Sequence, residues 1–471
     1  MKKIVFLSAA FMTALTNVWA GGILTNTNQS VLFLKNPSRD AAIGLDGVYS
    51  NPAGVAFMPE GFHIAFNWQY AHQTRTVTST NPVFALGKKN DDSAVKTYKG
   101  TADAPIIPSL QGAYNQGNWS LQFNLSVPGG GGSCEFSDGL GSFERVVGSI
   151  ANMLTPFGVQ GYDMDGYMKG RQYYFGIQAG AAYKVYPNLS VYGGLRMLYG
   201  DATYKAKISN IQVRTAGGYL DFADFLQAAT PQATAAGYGE AFKALQNYSD
   251  GVNLLCNQDG LGMAPIVGVD WRYENFNFAA KYEFKTQVRM KNESTVNKAH
   301  AIAAVNKFRD GEKVSEDQPA LLTVGAQWKP IEEVSLNAGW HHYFDKNAEW
   351  YNDSQELLKH DTNEFLLGAE WDVNRNLNVS IGGQLTRYGN TDAYMNDMSF
   401  VVNSYSIGFG FSYKIQEHIT LSAAYFQTSY GHYDADYEEQ TMAGMGLTTP
   451  AGHDSYTRTN RVLGIGCQVD F

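Results

Sequence analysis

Past its first twenty residues the chain has no apolar run approaching the ~20 residues a helix needs to cross a bilayer, which excludes a helical membrane protein. It has little cysteine, three in 471 residues, too few for a disulfide scaffold. Charge is sparse, 17% of residues, and the net charge of -9 lacks the basic excess that a nucleic-acid partner requires. No linker or composition break divides the chain, and no long stretch has helical period, so the two or more soluble domains that its length would suggest have no visible joints.

What is present starts with residues 1–20, MKKIVFLSAAFMTALTNVWA, where Lys2 and Lys3 precede an apolar stretch over 4–15 and the small residues Val18 and Ala20 lead to a cut. This is the pattern of a secretory signal peptide. Aromatics at 13% and 49 glycines suit many strands with large and small side chains on alternate faces.

Such strands recur. Leu463, Ile465, Cys467, Val469 and Phe471 alternate with Gly464, Gly466, Gln468 and Asp470 at the end of the chain. Tyr405 to Ile415 and Ile419 to Tyr425 form an alternating hairpin around Gln416-Glu417-His418, and Phe365 to Val373 with Leu377 to Leu385 form another. Earlier pairs flank 329–333, 274–275 and 186–188, with the weakest pattern at 106–114 and a first strand from Phe62 to Tyr70. The strands number about fourteen, joined by short turns on one side and long loops on the other, notably 129–170 and 206–261. Strict short-long alternation predicts an all-β fold, a transmembrane antiparallel barrel over 61–471, with one apolar face toward lipid.

Residues 21–60 break the pattern. They are rich in Asn, Ser, Gly and Pro and have neither strand nor helix period, yet they carry the apolar clusters Leu32-Phe33-Leu34 and Val55-Ala56-Phe57-Met58. Such a segment is expected to order only inside another structure. A lumen of fourteen strands is wide enough to need a plug.

With Asn51-Pro52-Ala53 about ten residues before Phe62, this arrangement resembles the FadL/TodX family of outer-membrane transporters of hydrophobic compounds, long-chain fatty acids among them. The resemblance spans the chain after residue 20. It implies an N-terminal hatch over 21–60 in which Asn51, Pro52 and Ala53 form the motif, a bacterial outer-membrane location, and no cofactor. The implied partners are a hydrophobic or amphiphilic small molecule, outer-membrane lipid and lipopolysaccharide, and the barrel assembly machinery, with the chain acting as a monomer.

In that family helical extracellular loops form a groove that captures ligand. Here Phe143, Val147, Ile150 and Leu154, then Phe222, Phe225 and Leu226, fall on apolar helical faces. They either line such a groove or pack the loops together. For a carboxylate ligand, Arg196, Lys281 and Lys285 on polar strand faces are candidate cations, with ion pairs to acids such as Glu283, Glu370 or Asp372 as the competing reading. Family transporters pass ligand through a kinked third strand; here that strand meets Pro-Gly-Gly-Gly-Gly at 128–132, read as the start of a loop.

Other chemistry recedes. His341 and His342 point to opposite faces of a strand and cannot share a metal. Asp434, Asp436, Glu438 and Glu439 read as a solvated loop rather than a calcium site. Residues 129–132 lack the Lys-Ser/Thr of a phosphate loop. His63, His72 and His418 join no hydrolase constellation. An exported chain admits either a Cys134–Cys256 bridge or two free thiols. A general or selective porin and, further off, an outer-membrane lipid hydrolase are the alternatives to a hatch-gated transporter.

Overall fold

The computed structural model describes residues 28–246, 248–296, 307–442 and 447–471; the expected signal peptide and the first residues of the expected hatch, 21–27, lie outside them. Fourteen antiparallel strands close into one barrel. They are β1 Gly61–Thr80, β2 Val95–Gln116, β3 Trp119–Phe136, β4 Gly161–Tyr186, β5 Leu189–Thr215, β6 Val252–Tyr273, and β7 Phe276–Glu283 with its continuation Arg289–Val296. Next come β8 Leu321–Ile331 with its leading piece Lys313–Ser315, β9 Val334–Tyr343, β10 Thr362–Asp372, β11 Leu377–Arg387, β12 Ser404–Gln416, β13 Ile419–Tyr430 with Tyr433–Tyr437, and β14 Gly452–Asp470. Closure is between β1 and β14, with His63 opposite Asp470 and Thr80 opposite His453.

Period-two alternation explains the wall. Outward positions such as Leu367 (67% exposed), Tyr405 (63%) and Ile465 (54%) form a continuous apolar belt. Water would tolerate only a few hundred Å² of such surface, so the belt faces lipid and the barrel spans a membrane. The exposed indoles of Trp119, Trp271, Trp328 and Trp371 gather near the short turns, where an interfacial girdle forms. Inward positions are small or polar, and many are buried, including Asn67, Gln122, Gln178, Ser190, Asn277 and Ser406.

They are buried because residues 28–59 occupy the lumen. α1 Val31–Lys35, capped by Ser30 Oγ accepting from Leu32 N (3.1 Å), and α2 Gly47–Ser50 are its only helices of α type. Apart from a 3-10 turn at Gly54–Phe57, the rest of its backbone lacks regular partners, and every buried carbonyl needs one. Wall side chains supply them: Asn115 donates to Val55 O (2.9 Å), Gln178 to Val48 O (2.9 Å), and Asn277 to Ala41 O (2.7 Å). Val31, Phe33 and Leu34 pack with Leu366, Phe426 and Val462 as the apolar part of the same seat. This dependence on the wall is why the segment has no periodicity of its own.

The strands run well past the membrane on the long-loop side. β3 to β6 continue through stretches expected as loops, so the outer connections shrink to 137–160 and 216–251, where α3 Gly141–Met153, α4 Phe222–Ala235 and α5 Gly239–Gln246 lie. Above the bilayer both strand faces meet water or other loops, and the apolar alternation that marks a lipid-facing strand disappears. Cys134 and Cys256 are both free. They stand on β3 and β6 with two strands between, roughly 14 Å at the ~4.8 Å strand spacing, beyond the ~7 Å Cα limit of a bridge.

Candidate functional site

The luminal segment is fixed to the wall by charge as well as by backbone contacts. Arg39 Nε donates to Asp46 (2.7 Å) within the segment, and its guanidinium also meets Glu370 of β10. His341 of β9 lies between Asp40 of the segment (2.9 Å) and Glu364 of β10 (3.0 Å), while His342 turns away to Asn363 (3.0 Å). The tripeptide at 51–53 is tied to three different strands. Asn51 Nδ2 donates to Asp270 of β6 (2.6 Å), Pro52 O accepts from Gln122 of β3 (2.8 Å), and Ala53 O accepts from Ser190 of β5 (2.5 Å). Asn51 Oδ1 also accepts from Gly54 N (3.2 Å), which turns the chain toward β1.

Asn51→Ala removes a hydrogen-bond donor from the buried Asp270 carboxyl group, leaving it, among the described residues, the Asn277 amide as side-chain donor (2.8 Å). The expected cost is about 1–3 kcal/mol. It should be read as faster proteolysis within 28–59 while the barrel keeps its heat-resistant gel mobility.

The three cations proposed from sequence fall in two places. Arg196 and Lys281 both hold Glu283 (2.5 and 2.6 Å) and stack on the ring of Tyr49 at 4.8 and 4.9 Å. Lys281 further donates to Tyr49 O (2.7 Å), so this group seats the luminal segment. Lys285 stands apart, donating to Asn347 O (3.1 Å) near Asp317.

Above the segment lies a cavity of about 290 Å³. Its floor includes Asn28, Gln29 and Leu34, and its walls carry Phe136, Met168, Phe400, Val401 and Phe426 beside polar groups. This is close to the lower end of the ~300–1,000 Å³ typical of small-molecule sites. A second cavity, of about 20 Å³, lies among Arg39, Asp40, Asp46, Lys281 and His341. A hydrocarbon passing straight down would have to displace these paired charges.

One side of the cavity coincides with a break in the wall. β2 and β3 pair from Gly100 to Asp103 and again from Leu110 to Gln116, but not between. Three prolines flank the break, Pro105 and Pro108 on β2 and Pro128 on β3, each without an amide donor for the ladder. Residues 128–132, expected to begin a loop, lie inside β3, and Gly130 (φ 112°) and Gly132 (φ 68°) take backbone conformations that a side chain would resist. The carbonyls freed by the break find other donors. Trp68 Nε1 takes Pro105 O from outside (3.1 Å), and Gln29 Nε2 takes Val127 O from inside (3.2 Å). Because Ser109 Oγ donates to Gln29 O (2.5 Å), Gln29 links both flanks of the break to the luminal segment.

The loop residues proposed as a capture groove come together in one buried cluster. Phe143, Val147, Ile150 and Leu154 meet Phe222, Phe225 and Leu226 there, together with Phe242 and Leu245. A cavity of about 40 Å³ remains, lined among others by Val147, Ile150, Phe222 and the strand residues Ile208, Ile211, Val213 and Val252. Phe143, Leu154, Phe225 and Leu226 do not line it.

No family model matches the chain, and no curated protein matches it in sequence. Solved structures do match in fold. A Pseudomonas aeruginosa FadL homologue superposes with a TM-score of 0.66 at 13% identity, covering 96% of this chain and all of that one. The Pseudomonas putida toluene transporter TodX gives 0.55 at 12% identity, over 91% of this chain and 94% of the other. The Ralstonia pickettii toluene transporter TbuX gives 0.52 at 14% identity, over 95% and 100%. Identities this low establish a shared fold, the FadL/TodX-type outer-membrane barrel.

Proposed function

We propose that this chain is an outer-membrane channel for uptake of hydrophobic small molecules, long-chain fatty acids or similar, in which residues 21–60 act as a hatch. The observation that carries the reading is the cavity of about 290 Å³ that opens on one side toward the β2–β3 break and is closed below by paired charges. A greasy ligand then leaves sideways into lipid, with no need to cross the polar seat of the hatch. Gln29, bonded to both flanks of the break, couples hatch position to the width of the exit. The toluene transporters and the FadL homologue of the same fold support a channel rather than an enzyme. A single barrel encloses the whole path, so the working unit is a monomer inserted among outer-membrane lipid and lipopolysaccharide by the assembly machinery. The α3–α4 cluster, with its small apolar cavity, is the entrance surface, and Asn51, Pro52 and Ala53 hold the hatch below.

Uptake of labelled oleate and labelled toluene by cells with and without the gene tests this. At least one label should enter markedly faster in the protein's presence. Equal entry of both would contradict the reading.

A further inference from the structure

Arg75 of β1 and Arg458 of β14 face the same cavity and stand directly opposite each other in the closing ladder. Like charges in direct cross-strand register repel, and a guanidinium out of bulk water calls for an anion. Neither has one. Among the described residues no carboxylate pairs with either side chain, and the Nε of each is buried without a hydrogen-bond partner. Arg458 donates to Phe400 O (3.2 Å) and Gln73 Oε1 (3.1 Å), both neutral, and lies over the Tyr430 ring. The acids around the cavity are committed elsewhere: Glu316 to Lys307, Asp317 to Arg289 (2.6 Å), and Asp103 to His72 (2.7 Å). A third guanidinium on the wall, Arg171, holds Asp201 (2.6 Å).

We propose that Arg75 and Arg458 form the head-group site of this channel, selecting amphiphiles that end in an oxyanion over neutral hydrocarbons. The inference rests on the channel reading and names its ligand class. The two planar forks supply donors matched to carboxylate or phosphate oxygens. Leu34, Phe400, Val401 and Phe426 on the same cavity wall take the start of the apolar chain. Arg196 and Lys281, which share Glu283 against the luminal segment, do not line this cavity; among the described residues that do, Arg75 and Arg458 are the cations without a carboxylate partner. The oxyanion can be the carboxylate of a free fatty acid or the phosphate of a lipid.

Equilibrium binding of dodecanoate, dodecyl phosphate and dodecanol to the purified full chain in a neutral detergent separates the possibilities. At least one anion should bind roughly tenfold or more tighter than the alcohol, the scale of one charged hydrogen bond. Tighter dodecanoate identifies fatty acids, and tighter dodecyl phosphate identifies lipid phosphate. Arg75→Gln and Arg458→Gln should each remove most of that margin, weakening anion binding far more than dodecanol binding, with heat-modifiable gel mobility reporting that the barrel is intact. Dodecanol binding as tightly as both anions, or a margin surviving both substitutions, would overturn the head-group site and leave the channel reading standing. No binding of any of the three would overturn both.

Discussion

A chain lacking residues 22 to 50 is expected to remain a folded, heat-resistant barrel and to leak ions. Each strand hydrogen-bonds to a neighbour on both sides, and closure between β1 and β14 involves no luminal residue. The wall therefore keeps its backbone partners when the segment is gone. What is lost is the seat. Val31, Phe33 and Leu34 no longer bury against Phe426, at about 1.5–3 kcal/mol for each side chain, so thermal stability should fall. Water enters to solvate Glu370, His341, Glu364 and the Arg196–Glu283–Lys281 group, which lose Arg39, Asp40 and Tyr49 as partners. A lumen of fourteen strands approaches the width of an aqueous pore, and conductance in planar bilayers should rise about tenfold or more over the intact chain. Loss of assembly would instead make the segment part of the scaffold.

The second large effect concerns the side exit. Replacing Pro105, Pro108 and Pro128 together by Val, Thr and Thr restores backbone amides around the broken ladder and adds β-branched side chains that favour strands. The β2–β3 pairing should then zip from Asp103 toward Leu110. Uptake of a hydrophobic label should fall by about tenfold while the hatch, anchored mainly on other strands, stays in place and ion conductance stays low. Unchanged uptake would move the exit away from this break. If conductance rose instead, the prolines would be serving the hatch.

The deletion in the luminal segment and the substitutions in the wall also divide what could be read from the chain alone. The barrel was legible because a lipid-facing strand must alternate, and Tyr405 to Ile415 or Leu463 to Phe471 can do little else. Residues 28–59 were legible as a gap in that pattern, and the expectation that they sit in the lumen followed from lumen width. The outer ends of β3 to β6 were not legible, since polar residues on both faces give no period. The break proposed as the exit was hidden at the weakest strand: Pro108 interrupts the alternation at 106–114, Pro105 stands just before it, and that flaw was itself the signal. Among cations, Arg196 and Lys281 were read on polar strand faces with ion pairs to acids such as Glu283 as the competing role, and it is that pairing the structure shows. Arg75 and Arg458 were missed because they lie where the apolar alternation of β1 and β14 has already ended. Their one trace is a pair of arginines near matching heights on the first and last strands.

The central claim is that a hydrophobic ligand rests above the hatch and leaves between β2 and β3. A crystal structure of the protein soaked with a brominated fatty acid tests it most directly, because the anomalous signal locates the chain. Bromine peaks in the cavity between Leu34 and Phe400, or at the break beside Val127, are the predicted result. Peaks confined to the outer belt, with the cavity holding none, would contradict it.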